Sequence, residues 1–253
     1  MSVTDPQPPN GFWAQAAADP DRIVLTAPDG EPWTAGRLLA DVNRMVHGLR
    51  AAGLERGDAF AVVLPNGVEF FTAYLAASQA GFYLVPVNHH LVGPEIAWIV
   101  ADSGAKVLIA HERFAATATA AADEAGLPTT HRFGVAAAGT GGDDATATET
   151  VVPDAVAPDA VAPDAVAPDA VARGAVAPGA DGRTAGPLAG FRPYAELLDG
   201  QPATAPVDRT LGWVMNYTSG TTGRPRGIRR PLQGKAPEEA QLGGFLGIFG
   251  IRP

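Results

Sequence analysis

The segment of this sequence best suited to chemistry lies at residues 217–227 and reads YTSGTTGRPRG. Its glycines allow the backbone to turn tightly and approach an anion, while backbone amides and four hydroxyl side chains can donate hydrogen bonds to that anion. Arg224 and Arg226 add positive charge. Because donors and cations of this kind bind polyphosphate, the segment is predicted to be a phosphate-binding loop.

Two better-known phosphate motifs do not account for this loop. The Walker A spacing, Gly-x4-Gly-Lys-Ser/Thr, does not occur in the sequence, and neither does the dinucleotide fingerprint Gly-x-Gly-x-x-Gly. A flexible linker has the same residue types and is the alternative. The apolar segment before the loop and the Arg-Pro-Arg that follows its glycines favour phosphate binding over a linker.

Strands and helices are predicted to alternate ahead of the loop, and they form the scaffold that must position it. Apolar segments at 59–64, 82–87 and 106–110 are predicted strands, while apolar residues recur at helical spacing at 68–80 and from Pro94 onward. Strands that alternate with helices of about a dozen residues form βαβ units. The predicted fold is therefore α/β with a mostly parallel sheet, and a strand at 211–217 leads into the loop.

Shorter signals frame this unit on both sides. An amphipathic stretch at 12–18 precedes a predicted strand at 23–26. Thr34 is a candidate N-cap for a helix that ends near Gly53, and Gly81 is expected to end the helix at 68–80. A short helix is predicted at 194–198.

The middle of the chain is repetitive. Residues 153–172 are four copies of Pro-Asp-Ala-Val-Ala, a period that fits neither a helix nor a strand ladder, because each proline lacks an amide donor and biases its predecessor to extended geometry. We expect a βαβ part at 11–134, a disordered low-complexity insertion at 135–189 and a continuation of the same domain at 190–253. A tolerated loop expansion is favoured over a partner-binding spacer, because long loops cost little closure entropy.

The composition excludes several classes of function. The 253-residue chain has a formal net charge of −9, which disfavours binding to nucleic acid, and the absence of cysteine excludes disulfides and thiolate sites. Neither a secretory signal nor an apolar run of about 18 residues occurs. A cytoplasmic protein without a membrane span is expected.

Four arginines follow the glycines of the loop, namely Arg224, Arg226, Arg229 and Arg230. Because the chain is acidic, they are interpreted as a phosphate-handling group rather than as a nucleic-acid patch.

Histidines and aromatic residues elsewhere are assigned ordinary roles. His89 and His90 follow a predicted strand and are interpreted as a surface pair, because no carboxylate lies at a spacing typical of a metal site. Trp98 and the pair Phe70 and Phe71 are predicted to pack against the sheet.

On these residues, the chain is identified as a member of the adenylate-forming (AMP-binding) superfamily, which includes acyl-CoA synthetases, aryl-CoA ligases, luciferases and peptide-synthetase adenylation domains. YTSGTTGRPRG resembles the signature loop of that superfamily, and GIRRPL at 227–232 continues the resemblance. The stretch at 65–110, from PNGVEFF to AKVLIA, is similar to the amino-terminal region of acyl-CoA synthetases. The resemblance implies that the chain is part of the large amino-terminal domain of such an enzyme.

The resemblance also implies a two-step, AMP-forming reaction. A carboxylic acid, expected to be a fatty acid, attacks the α-phosphate of ATP to give an acyl-adenylate and pyrophosphate, and the thiol of coenzyme A then displaces AMP. In the family the loop holds the β- and γ-phosphates with Mg²⁺, which makes Thr218 a candidate Mg²⁺ ligand. The phosphate-binding role carries over to Thr218, Ser219, Gly220, Thr221, Thr222, Gly223 and Arg226.

One position departs from the family pattern. Arg226 stands where the family usually has lysine, so a planar guanidinium replaces a compact ammonium. Charge is retained, and weakened rather than abolished nucleotide handling is expected.

Further family elements, including the catalytic residues, are expected beyond Pro253. The 253-residue chain is therefore expected to be an incomplete acid–thiol ligase that shows no acid-dependent ATP–pyrophosphate exchange on its own. A non-catalytic remnant or interaction module of the same fold is the alternative. Among enzymes, the alternatives are a peptide-synthetase adenylation domain and an aryl-CoA ligase.

Overall fold

The computed structural model describes residues 11–137, 188–218 and 224–239. The helices in these ranges are α1 (Phe12–Ala18), α2 (Ala35–Ala51), α3 (Val68–Ala80), α4 (Gly93–Ser103), α5 (Ala115–Glu124) and α6 (Ala195–Leu198). The strands are β1 (Ile23–Thr26), β2 (Pro32–Thr34), β3 (Ala59–Val63), β4 (Tyr83–Pro86), β5 (Ala105–His111), β6 (Arg132–Val135), β7 (Arg192–Pro193), β8 (Trp213–Val214), β9 (Asn216–Thr218) and β10 (Arg226–Ile228). Most of the predicted insertion at 135–189 lies outside the described residues.

A parallel sheet of six strands organises the described part of the chain. Its strand order is β7-β6-β5-β3-β4-β8, and every neighbouring pair is parallel. The central strand β3 is buried along its whole length, which explains why its sequence AFAVV is apolar without alternation. The predicted α/β fold with a mostly parallel sheet is confirmed.

Helices cover both faces of this sheet and separate the core into two clusters. On one face, α1, α2 and α3 pack around Phe60, Phe82 and Leu84. On the opposite face, α4 and α5 pack against Leu108, Ala110 and the adjacent residues of the sheet. Consecutive residues of β3 alternate between the two clusters, so this central strand contributes to both cores.

Local signals set the ends of two helices as predicted. The Thr34 hydroxyl accepts a hydrogen bond from the Arg37 amide at 3.2 Å and caps the start of α2. Gly81 has a φ of 71° directly after α3, a left-handed conformation that glycine adopts without a Cβ clash. In addition, a Cβ on Gly81 would lie 2.9 Å from the Arg56 Cγ.

The prediction of a single strand at 211–217 is wrong in its extent. The structure divides this segment into β8, which joins the edge of the six-stranded sheet beside β4, and β9, which pairs with β10 in a separate antiparallel hairpin. Met215 lies between them and is buried. The break was invisible in the sequence pattern because the partner of β9 comes after the loop.

Five of the helices and strands described above carry too weak a local signal to be predicted. The helix α5 is built from alanine and threonine and shows no stripe of large apolar residues, although Ala118, Ala121 and Ala122 are buried. Strands β2, β6, β7 and β10 are only two to four residues long. Among the helices in the described ranges, none combines the length and apolar character needed to cross a membrane.

Candidate phosphate-binding site

The hairpin β9–β10 emerges at the carboxyl end of the edge strand β8. Asn216 follows β8 after a single buried residue, so the hairpin begins where the parallel strand ends. In open parallel sheets, ligands bind at the carboxyl ends of the strands. The sheet therefore delivers the predicted loop to an edge suited to ligand binding.

The hairpin register divides its residues between two faces. Arg226 pairs with Thr218, Gly227 with Tyr217 and Ile228 with Asn216. Directly opposed residues of an antiparallel pair lie on the same face. Tyr217 and Gly227 form the inner face, while Thr218 and Arg226 are both exposed on the outer one.

The inner face of the hairpin packs against α4. The Tyr217 hydroxyl donates a 2.7 Å hydrogen bond to an Asp102 carboxylate oxygen, and the Trp98 Nε1 donates a 3.2 Å hydrogen bond to the Pro225 carbonyl. Burial raises the pKa of the Tyr217 phenol, and the hydrogen bond to Asp102 raises it further. The phenol therefore remains a donor at neutral pH.

Three of the four arginines predicted to handle phosphate lie over aromatic rings. The guanidinium of Arg224 lies 4.5 Å from the Trp98 ring centre, that of Arg229 lies 4.5 Å from Tyr83, and that of Arg230 lies 5.4 Å from Trp213. Such cation–π contacts hold the chain on the protein surface.

Arg226 differs from these three arginines. Among the residues that the structure describes, its exposed guanidinium contacts neither an aromatic ring nor a carboxylate. It is therefore the arginine of this group that is placed to meet a ligand on the outer face of the hairpin.

The chain after β10 is held by the sheet. The Tyr83 hydroxyl donates a 2.5 Å hydrogen bond to the Arg230 carbonyl. Arg229 also donates to the Gly57 carbonyl. These contacts fix the residues that directly follow β10, whereas the loop precedes that strand.

The sequence predicted that Trp98 packs against the sheet, and the structure adds a contact with the hairpin that the sequence did not indicate. Trp98 is half-buried at the margin of the second core cluster, where its ring and its N–H both contact the hairpin. The sequence analysis did not identify Asp102 as a site residue. The available signal was its spacing of four residues from Trp98 on a predicted helix, because residues so spaced share one face.

The remaining aromatic and histidine candidates are half-buried or exposed. Phe70 and Phe71 are half-buried with their rings in an edge-to-face pair, and Phe70 packs against the first core cluster. His89 stacks on Phe114 with ring centres 4.6 Å apart. His90 is exposed, and its ring centre lies 4.2 Å from that of His89. No group of three or more potential metal ligands occurs within the described residues.

Of the seven residues assigned a phosphate-binding role, five lie outside the described residues, namely Ser219, Gly220, Thr221, Thr222 and Gly223. The remaining two, Thr218 and Arg226, are brought together as a register pair. The Thr218 hydroxyl is a hard oxygen donor on an exposed face, which fits Mg²⁺ held mainly by substrate phosphates and water.

Comparisons with known proteins agree with the predicted family. The profile of the family described as AMP-binding enzyme matches residues 12–231. The long-chain-fatty-acid–CoA ligase FadD13 of Mycobacterium tuberculosis is 40% identical over 76 residues, which are 30% of this chain and 15% of that protein. A feruloyl-CoA synthase of an Amycolatopsis species is 41% identical over 93 residues, which are 37% of this chain and 19% of that protein. The match spans less than a fifth of either relative.

Solved structures show the same fold. The anthranilate CoA ligase AuaEII, solved with anthranoyl-AMP, has a TM-score of 0.58 at 18% identity over 94% of this chain and 37% of that one. A Mycobacterium tuberculosis fatty acyl CoA synthetase has a TM-score of 0.55 at 23% identity over 86% of this chain and 33% of that one. With the family profile matching most of its length, the chain belongs to the AMP-binding enzyme family.

Proposed function

We propose that this chain contributes the ATP-phosphate site of an AMP-forming acyl-CoA synthetase. The observation that carries the proposal is the register pair of Thr218 and Arg226, exposed together on the outer face of a hairpin at the carboxyl end of a parallel sheet. A hydroxyl and a guanidinium side by side provide a hydrogen-bond donor and a positive charge to one phosphate group.

The proposed role of these residues is to position the phosphates and to stabilise their charge. When the carboxylate of the acid attacks the α-phosphate of ATP, negative charge builds up on the departing pyrophosphate. The Arg226 guanidinium balances that charge, and the hydroxyl of Thr218 holds the oxygen atoms in place. Ser219, Gly220, Thr221, Thr222 and Gly223 are proposed to add backbone and hydroxyl donors to the same phosphates.

The Thr218 hydroxyl is proposed as the protein ligand that would hold Mg²⁺ beside the substrate phosphates. Mg²⁺ prefers oxygen ligands and keeps several waters, so a single hydroxyl beside substrate phosphates is sufficient protein contact. Bound there, the ion would neutralise part of the charge on the leaving pyrophosphate.

Coenzyme A and a carboxylic acid complete the proposed set of substrates. One matched relative is named for long-chain fatty acids and another for a feruloyl group, so the names support both an aliphatic and an aryl acid. A fatty acid is the proposed acid, and titration of the protein with palmitate and with ferulate in the presence of Mg-ATP distinguishes the two.

The phosphate site is tested by calorimetric titration of the 253-residue chain with Mg-pyrophosphate. Loss of one charge-assisted contact costs roughly 1.5–3 kcal/mol, so we expect Arg226→Ala to weaken binding by about 10-fold or more. Arg113→Ala removes an equal charge from the loop after β5 and serves as the control. Equal affinity in the two variants would contradict the proposal, and no binding by the wild-type chain would favour a non-catalytic module of the same fold.

A further inference from the structure

Two hydrogen bonds from one turn of α4 flank the exposed pair Thr218 and Arg226. Tyr217, which bonds to Asp102, immediately precedes Thr218, and Pro225, which accepts from Trp98, immediately precedes Arg226. The same helix thus holds the chain one residue before Thr218 and one residue before Arg226.

We propose that Trp98 and Asp102 are positioning residues that set the placement of Thr218 and Arg226 for phosphate binding. The inference rests on the proposed function of that pair and extends it to a helix whose side chains do not themselves touch the phosphates. Together, Trp98 and Asp102 form the α4 clamp.

The clamp is needed because the hairpin is too small to be stable alone. It has two strands of three residues each, and an isolated two-stranded hairpin is marginally stable in water. Its order must therefore come from packing against the rest of the molecule, and the contacts closest to the exposed pair come from α4.

The geometry of the clamp favours positioning over simple burial. Trp98 and Asp102 are four residues apart and share one face of α4, so their polar atoms move as a unit. Arg224 lies over the Trp98 ring and strengthens the contact on the β10 side. On the β9 side, the absence of a side chain at Gly227 leaves room for the Tyr217 ring, whose hydroxyl reaches Asp102.

Hairpin opening can be measured without any phosphate ligand. Trypsin cleaves the Arg226–Gly227 bond only when β10 leaves its ladder, and the Arg224–Pro225 bond resists trypsin. A net hydrogen bond is worth about 1 kcal/mol, so we expect cleavage at Arg226–Gly227, followed by mass spectrometry, to be about fivefold faster in Tyr217→Phe and Trp98→Phe. The matched controls are Tyr194→Phe and Trp33→Phe, whose side chains contact Met45 and Arg37 instead.

Conservative replacement separates positioning from a general loss of stability. Asp102→Asn keeps an oxygen that can accept from Tyr217, while Asp102→Ala does not. We expect the alanine variant to open like Tyr217→Phe and the asparagine variant to stay close to the wild type, with the same melting temperature in both. Equal cleavage rates in the two Asp102 variants, or rates in Tyr217→Phe and Trp98→Phe no faster than in their controls, would overturn the inference.

Titration with Mg-pyrophosphate then links the clamp to the site. Tyr217→Phe is expected to weaken binding by about fivefold although Thr218 and Arg226 are unchanged. If the wild-type chain binds pyrophosphate and Tyr217→Phe binds it equally well, the inference is wrong while the proposed function stands. If the wild-type chain does not bind pyrophosphate, the proposed function fails, and the role of the clamp in phosphate binding fails with it. Faster cleavage in Tyr217→Phe and Trp98→Phe would still show that α4 orders the hairpin.

Discussion

Tyr217 and Gly227 lie opposite each other in the hairpin, and the tyrosine ring fills the space that a side chain at 227 would need. A Cβ on Gly227 would lie 2.8 Å from the Tyr217 Cζ and nearer still to the Met215 Cε, both closer than real Cβ contacts. The glycine is therefore required by the approach of these two side chains rather than by backbone freedom. The same ring position carries the Tyr217 hydroxyl to Asp102.

Replacing Gly227 by alanine is expected to loosen the hairpin. Overpacking of this kind costs about 1–3 kcal/mol, so amide hydrogen exchange at Tyr217 and Thr218 should be at least about fivefold faster than in the wild type. Gly93→Ala adds the same methyl group at a position where the nearest atom would be 3.7 Å away, and it serves as the control. Exchange rates that match the control would show that the ring can move aside at no cost.

Arg226→Lys is expected to bind Mg-pyrophosphate a few-fold more tightly than the wild type. A compact ammonium approaches a phosphate more closely than a planar guanidinium, and the family resemblance implies a lysine at this position. Titration calorimetry compares the two, with Arg113→Lys as the control for the same exchange elsewhere. Unchanged affinity would mean that the guanidinium is an equivalent ligand.

Gly48→Ala is expected to destabilise the protein. Gly48 lies in α2, and a Cβ there would overlap the Leu197 carbonyl oxygen of α6 and lie 2.9 Å from its carbon. Alanine normally gains about 0.5–1 kcal/mol over glycine inside a helix. Backbone overlap outweighs this gain, and a net loss of about 1–3 kcal/mol in the free energy of unfolding should appear in urea titrations. A stabilised variant would show that α6 can shift without cost.

Gln79→Leu should break a buried chain of amide hydrogen bonds. Gln79 accepts from the Trp13 Nε1 at 3.0 Å and donates to the Asn43 Oδ1 at 2.9 Å, and Asn43 in turn donates to the Ala203 carbonyl. The leucine leaves two buried groups unpaired at a cost of about 1–3 kcal/mol each. Urea titration should show this loss, whereas Gln15→Leu on the half-buried face of α1 should change stability little.

His111 is expected to make the protein sensitive to mild acid. Burial lowers its pKa below the ordinary value of 6.5. The unfolded chain therefore takes up a proton before the folded chain does, and stability is lost as the pH falls from about 6.5 through the lower folded pKa. His111→Asn keeps an acceptor for the Arg113 amide, so its urea midpoint should fall less between pH 7 and 5. A slope equal to that of the wild type would contradict this assignment, and His90→Gln is the control.

Much of the fold follows from local sequence. The apolar run of β3 and the caps at Thr34 and Gly81 each depend on residues within a few positions, so they were predictable. The helix α5 was not, because small alanine side chains give little periodic signal and only packing against α4 and the sheet buries them.

The candidate site divides in the same way. The order of residue types at 217–227 determined that the segment suits phosphate, and together with the stretch at 65–110 it indicated the family that the profile over residues 12–231 confirms. Tertiary structure alone decided that Thr218 and Arg226 face the same side, and that Trp98 and Asp102 hold their strands. The strand pairing of the hairpin brings Thr218 and Arg226 together. The contacts with α4 join residues that are distant along the chain, with 115 positions separating Tyr217 from Asp102, and only the packing of α4 against the hairpin brings them together.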